Sequence, residues 1–152
     1  MLNINDLKIK IFADGADIEG ITKLNSLSYI KGFTTNPTLM RKSGVSNYKN
    51  FAIEVLKIVK DKPISFEVFA DNIDDMEIQA MEISSWGKNA NVKIPITNTE
   101  GKSTVKLIEK LSKKGIVCNI TAIFTDDQVK EVLKVLDPKT PAILSIFAGR
   151  IA

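Results

Sequence analysis

A lysine lies inside an otherwise apolar run, Asn91-Val92-Lys93-Ile94-Pro95-Ile96. The run reads as a parallel β-strand. Strands buried on both faces are near-continuous in apolar residues, so the amine has to be accounted for. Burial in a low-dielectric site disfavours an ammonium relative to the neutral amine, and a neutral amine condenses with a carbonyl carbon. Residue type and position therefore point to Schiff-base chemistry. The competing reading is a lysine on a sheet edge, or one whose stem follows apolar surface to bring its head to water.

The chain contains no histidine. This removes Ser-His-Asp and Cys-His machinery, histidine acid–base catalysis and most zinc sites. What remains is lysine, carboxylates, hydroxyls and one thiol. Polar residues recur at or near the C-terminal ends of the strands read from the sequence: Asp14, Asn36, Glu67, Lys93, Asn119 with Thr121, and Ser145. In a barrel of parallel strands those ends share one face, where catalytic groups sit. Each polar residue has a structural alternative: a turn or helix-cap aspartate, a salt-bridged sheet glutamate, or hydroxyls and amides that satisfy local backbone. Polar residues at six strand ends together are harder to explain that way, because each would need its own buried partner. An iminium formed on Lys93 is an electron sink that lets an adjacent C–C bond break. Asp14 and Glu67 are the carboxylates placed to move protons, and different surroundings would give them different roles. Cys118 alternates to the other side of its strand from Asn119 and Thr121, which makes it a small core residue. Trp86 and Tyr48 read as packing residues on helices.

Short apolar runs alternate with segments of helical period. Strands are expected at Lys8–Ala13, Gly32–Asn36 (stopped by Pro37), Ile64–Phe69, around Lys93, Ile116–Thr121 and Ala142–Phe147. Helices are expected at about Asp17–Ser26, Ser46–Lys60, Ile73–Trp86, Glu100–Lys113 and from Thr125 through Leu136. Their inward stripes are Tyr48, Phe51, Val55 and Val59; Met76, Ala80 and Ile83; Val105, Ile108 and Leu111; and Val129, Val132 and Leu133. Gly87 and Gly115 read as helix stops, and Thr125 with Gln128 as a capping box. Six strands separated by five helices predict parallel βαβ units. The fold is then either an open doubly wound sheet or part of a (β/α)8 barrel. Neither G-x-G-x-x-G after the first strand nor a P-loop pattern is present, which counts against nucleotide-binding sheets.

At 152 residues, 44% hydrophobic and 26% charged, the chain is the size of one globular domain, expected to span 1–152. A net charge of +3 with scattered lysines gives no reason to expect nucleic acid. No apolar run is long enough for a membrane span. Met1–Asp6 does not read as a signal peptide, and a single cysteine suits a reducing cytoplasm.

Five blocks resemble the transaldolases, in that family's order along nearly the whole chain: Ile11-Phe12-Ala13-Asp14-Gly15-Ala16-Asp17, Gly32-Phe33-Thr34-Thr35-Asn36-Pro37, Val92-Lys93-Ile94-Pro95, Cys118-Asn119-Ile120-Thr121 and Ser145-Ile146-Phe147-Ala148-Gly149-Arg150. The resemblance implies a class I, Schiff-base enzyme of α/β, (β/α)8 TIM-barrel type. Such an enzyme moves a dihydroxyacetone unit between sugar phosphates of the pentose phosphate pathway, without metal or organic cofactor. It makes Lys93 the Schiff-base lysine, Asp14 the acid–base aspartate, and Glu67 with Thr121 the holders of a catalytic water. It assigns substrate contacts to Thr35, Asn36, Asn119, Ser145 and Phe147, and phosphate binding to Arg150. The similar fructose-6-phosphate aldolases carry glutamine and tyrosine at the positions of Glu67 and Phe147, so these two residues favour transfer over simple cleavage. Gly15 departs from the family's usual threonine or serine.

A (β/α)8 barrel needs about 200 residues or more, and this sequence reaches only the sixth strand. Two open edges are then expected, inviting pairing with another copy as a homo-oligomer. Three readings follow: a transaldolase, an aldolase that releases free dihydroxyacetone, or a silent barrel fragment that needs a complementing segment.

Overall fold

Parallel strands alternate with helices along the chain, the plan of an α/β protein of (β/α)8-barrel type with six of its strands present. The computed structural model describes residues 4–150. The signal-peptide reading rests partly on Met1–Asn3, which lie outside them. Among the described residues no helix is long and apolar enough to cross a membrane. The chain divides into two compact units, one running to Phe66 with Trp86–Ala90 added, the other comprising Glu67–Ser85 and the chain from Asn91 on.

The first unit holds β1 (Ile11–Asp14), β2 (Ile30–Thr34) and nearly all of β3 (Ile64–Glu67). β1 pairs in parallel with β2, and β2 with β3. Gly32 faces Phe12 across the β1–β2 ladder. A Cβ at Gly32 would overlap the Phe12 ring, so glycine makes room for the aromatic. Helices α1 (Ile18–Asn25), α2 (Pro37–Lys42) and α3 (Tyr48–Ile58) each open on a side-chain cap: Asp17, Asn36 and Asn47 accept from the backbone N–H of Gly20, Leu39 and Asn50. α2 was not expected. Pro37 does end the extended segment, but its fixed φ also suits the first turn of a helix. Phe51, Val55 and Val59 are buried as the periodicity requires, with Tyr48 less so. Trp86 lies just past a helix rather than on one, and its ring meets Tyr48 and Phe66 edge-on at 5.2 and 5.7 Å.

The second unit begins with Glu67, the last residue of β3, followed by α4 (Ile73–Ser85). β4 (Ala90–Pro95), β5 (Cys118–Ile123) and β6 (Ala142–Ile146) pair in parallel in that order. α5 (Val105–Lys113) and α6 (Asp126–Val135) connect them. Met76, Ala80, Ile83, Ile108 and Leu111 are buried, each worth about 1–3 kcal/mol of transfer free energy by size. α5 starts five residues later than periodicity suggested. Asn98 gathers the preceding loop, its Oδ1 accepting from the N–H groups of Glu100 and Lys102, and Gly101 turns at φ 78°. The end of α5 is as expected: Gly115 at φ 77° donates to Ser112 O and Ile116 to Leu111 O, a Schellman cap. The Thr125–Gln128 capping box is present at α6. Two expectations fail. Gly87 does not adopt the left-handed conformation of a helix stop, and of the expected stripe Val129, Val132 and Leu133 only Val132 is buried, Leu133 being 60% exposed.

Candidate active site

Lys93 stands in β4 with a buried backbone and an amine held in place. Val92 and Ile94 point to one face and are fully buried; alternation puts Lys93 on the other, 8% exposed. Its Nζ lies 3.3 Å from Glu67 Oε2, and its carbonyl accepts from Val68 N–H at 3.1 Å. The parallel register sets Asn119 of β5 beside Lys93, and Thr121 beside Pro95. Asn119 is 1% exposed, and its Oδ1 accepts from Ser145 Oγ of β6 at 2.7 Å. Thr121 is 2% exposed, and its hydroxyl oxygen has no hydrogen-bond partner among the described residues. Glu67 at the end of β3 and strands β4 to β6 thus supply an amine, a carboxylate, an amide and two hydroxyls on short, rigid segments.

A bulge shapes the end of β5. Ile120 pairs with Leu144 but Ile123 pairs with Ile146, so β5 carries one more residue than β6 between the two pairs. Ala122 occupies that stretch at φ 57°, left-handed for a residue with a side chain. The extra residue leaves Thr121 on the Lys93 face while returning Ile123, fully buried, to the side of Ile120. No single-strand pattern announces this, because the bulge exists only relative to β6.

The first unit carries the other expected residues. Asp14 ends β1, is exposed, and accepts from Thr34 Oγ1 at 2.7 Å. Thr34, a motif residue with no role expected of it, sits opposite Asp14 in the register and orients it. The hold on Asp14 therefore comes across the ladder, where Gly15 at the next position offers no side chain. Thr35 is fully buried, and its N–H donates to Ser65 O. Asn36 is not a strand residue: its side-chain oxygen accepts from Leu39 N–H at 2.9 Å as the cap of α2. Phe147 follows β6, and Arg150 ends a 3-10 turn, Ala148–Arg150, with its guanidinium 4.6 Å from the Phe147 ring centre. Cys118 packs as expected, 1% exposed, and burial pushes its thiol up to about 12.

Residues 11–152 match the family described as Transaldolase/Fructose-6-phosphate aldolase. The chain belongs to that family. Curated relatives agree. A probable transaldolase of Dehalococcoides mccartyi is 38% identical over 94% of this chain and 62% of its own length. One from Streptococcus agalactiae is 39% identical over the same shares, and one from a Thermoanaerobacter species is 41% identical over 79% of this chain and 53% of its own. The chain thus spans about 62% of the length of the first two relatives.

Proposed function

We propose that this transaldolase-family chain transfers a dihydroxyacetone unit between sugar phosphates of the pentose phosphate pathway, in the cytoplasm, through a Schiff base on Lys93. One observation carries the reading: an amine 8% exposed inside β4 with a carboxylate oxygen 3.3 Å away. Glu67 takes a proton from the Lys93 ammonium beside it, the freed amine adds to the donor's ketone carbon, and a nitrogen-bound proton passes to the new alkoxide to give the carbinolamine. Loss of the carbinolamine hydroxyl as water, with a proton returned by an acid, gives the iminium. Asp14 takes the proton from the hydroxyl next to the bond that breaks. That bond's electrons move into the iminium, leaving an enamine and releasing an aldehyde phosphate. The enamine then attacks an acceptor aldehyde, Asp14 returning its proton to the new alkoxide; water freed of a proton by Glu67 adds to the new iminium, and that proton goes back to the Lys93 nitrogen as it leaves. Thr121, buried with its hydroxyl unpaired among the described residues, suits a place beside that water. Asn119 and Ser145 form a linked amide–hydroxyl pair suited to substrate hydroxyls; Thr35, Asn36 and Phe147 complete the substrate contacts, and Arg150 suits the phosphate. The functional unit is a homo-oligomer.

Borohydride trapping tests the reading. With dihydroxyacetone or fructose 6-phosphate, a reduced substrate adduct is expected on Lys93; Lys93→Ala abolishes it and Lys88→Ala does not. No adduct, under conditions that label a full-length relative, overturns the reading in favour of a silent fragment. Turnover without an acceptor aldehyde phosphate would instead mark an aldolase.

A further inference from the structure

Phe124 has no part in the scheme above, yet it sits at a junction of the second unit. Its ring meets Phe147 at 75° with centres 5.6 Å apart, and the Arg150 guanidinium lies over Phe147 at 4.6 Å. All three backbones are tied down. Phe124 N–H donates to Gln128 Oε1 at 2.8 Å, inside the capping box of α6. Phe147 N–H donates to Ile123 O, and Arg150 N–H to Phe147 O, each at 2.9 Å. Phe124 nevertheless remains 42% exposed, an exposed aromatic where a buried one would ordinarily be expected.

We propose that Phe124 is a positioning residue: it fixes the Phe147 ring, which in turn holds the Arg150 guanidinium ready for a phosphate. An exposed arginine has many rotamers to lose on binding. An aromatic platform confines the planar group beforehand, so less is lost when two N–H groups engage an anion. Without the Phe124 edge the Phe147 ring turns freely and the platform goes with it. The inference rests on the reading of Arg150 as a phosphate ligand.

Two measurements test it. In the first, the donor concentration for half-maximal borohydride labelling is found for fructose 6-phosphate and for dihydroxyacetone, and their ratio is compared between variants. Phe124→Ala is expected to raise that ratio about five- to tenfold, from the loss of one ring pair and a weakened cation–π contact. Phe124→Tyr restores the wild-type ratio, whereas Phe124→Leu, apolar but without a ring, behaves like alanine. Unchanged thermal melts of the variants keep the comparison free of misfolding. An unchanged ratio in Phe124→Ala, or rescue by leucine as good as by tyrosine, overturns the proposal. The second measurement titrates inorganic phosphate by ³¹P line broadening and does not involve Lys93. If the wild type gives no adduct with either donor, the Schiff-base reading fails and the titration decides this proposal alone. Saturable binding weakened by Phe124→Ala and lost in Arg150→Ala supports it; no saturable binding, or none weakened by Phe124→Ala, overturns it.

Discussion

The Lys93–Glu67 pair, with side chains 10% and 18% exposed, has given up most of its hydration for a partner at 3.3 Å. Such a pair is costly to break from one side, because the remaining charge stays desolvated, and much cheaper to remove whole. Lys93→Met and Glu67→Gln are each expected to lower unfolding free energy by about 2–4 kcal/mol. The double variant should lose clearly less than the sum, with a coupling of at least about 1 kcal/mol in urea titrations. Strictly additive losses would mean the two groups do not share their charges in the folded state. At this scale the sequence was informative where residue type clashes with surroundings. A lysine among Val92, Ile94 and Ile96 is conspicuous, and so is a glutamate ending Ile64-Ser65-Phe66. It was uninformative where one chemistry serves two purposes. The oxygen of Asn36 caps a helix as readily as it binds a sugar, and the hydroxyl that orients Asp14 comes from Thr34, twenty residues away and visible only through the ladder.

Elements were legible where their signals are local. The Thr125–Gln128 box, the glycine after α5 and the buried stripes of α3 and α4 each depend on a few neighbouring residues, and each appears in the structure. α2 and the true start of α5 were missed because a proline and an asparagine-centred loop override periodicity locally. The β5 bulge could not be read at all, since the extra residue is counted against a strand some twenty residues away. The bulge stores strain at Ala122, whose φ of 57° costs an L-residue about 1–2 kcal/mol that glycine avoids. Part of that relief is offset by the greater freedom of glycine in the unfolded chain. Ala122→Gly is therefore expected to raise stability by about 0.5–1 kcal/mol, and Ala122→Val to lower it by more than that, both measured by chemical denaturation. A glycine variant less stable than wild type would show that the bulge is not strained.

At the scale of the whole molecule, alternation of strand and helix was enough to indicate an α/β protein, and family membership agrees with it; the lack of histidine only narrows the proposed chemistry toward lysine. Neither signal says how the sheet edges are treated, because an edge is defined by what is absent beside it. β6 hydrogen-bonds to β5 on one side, and no strand pairs with its other side among the described residues. Ile146 shares the face of its register partner Ile123, yet Ile123 is fully buried while Ile146 is 53% exposed. An unpaired parallel edge next to an uncovered apolar side chain is a template for a further strand, and proteins that avoid such pairing place charge there. A polypeptide of these 152 residues alone is expected to self-associate reversibly at concentrations on the order of 10–100 µM, read by sedimentation velocity. Ile146→Lys introduces an ammonium that any strand docking on that edge would have to desolvate, so it should weaken association at least about tenfold. Because Ile146 is already half exposed, far-UV circular dichroism should stay unchanged. A wild type that remains monomeric across that range, or an Ile146→Lys variant that associates equally well, would show that the β6 edge is not where copies meet.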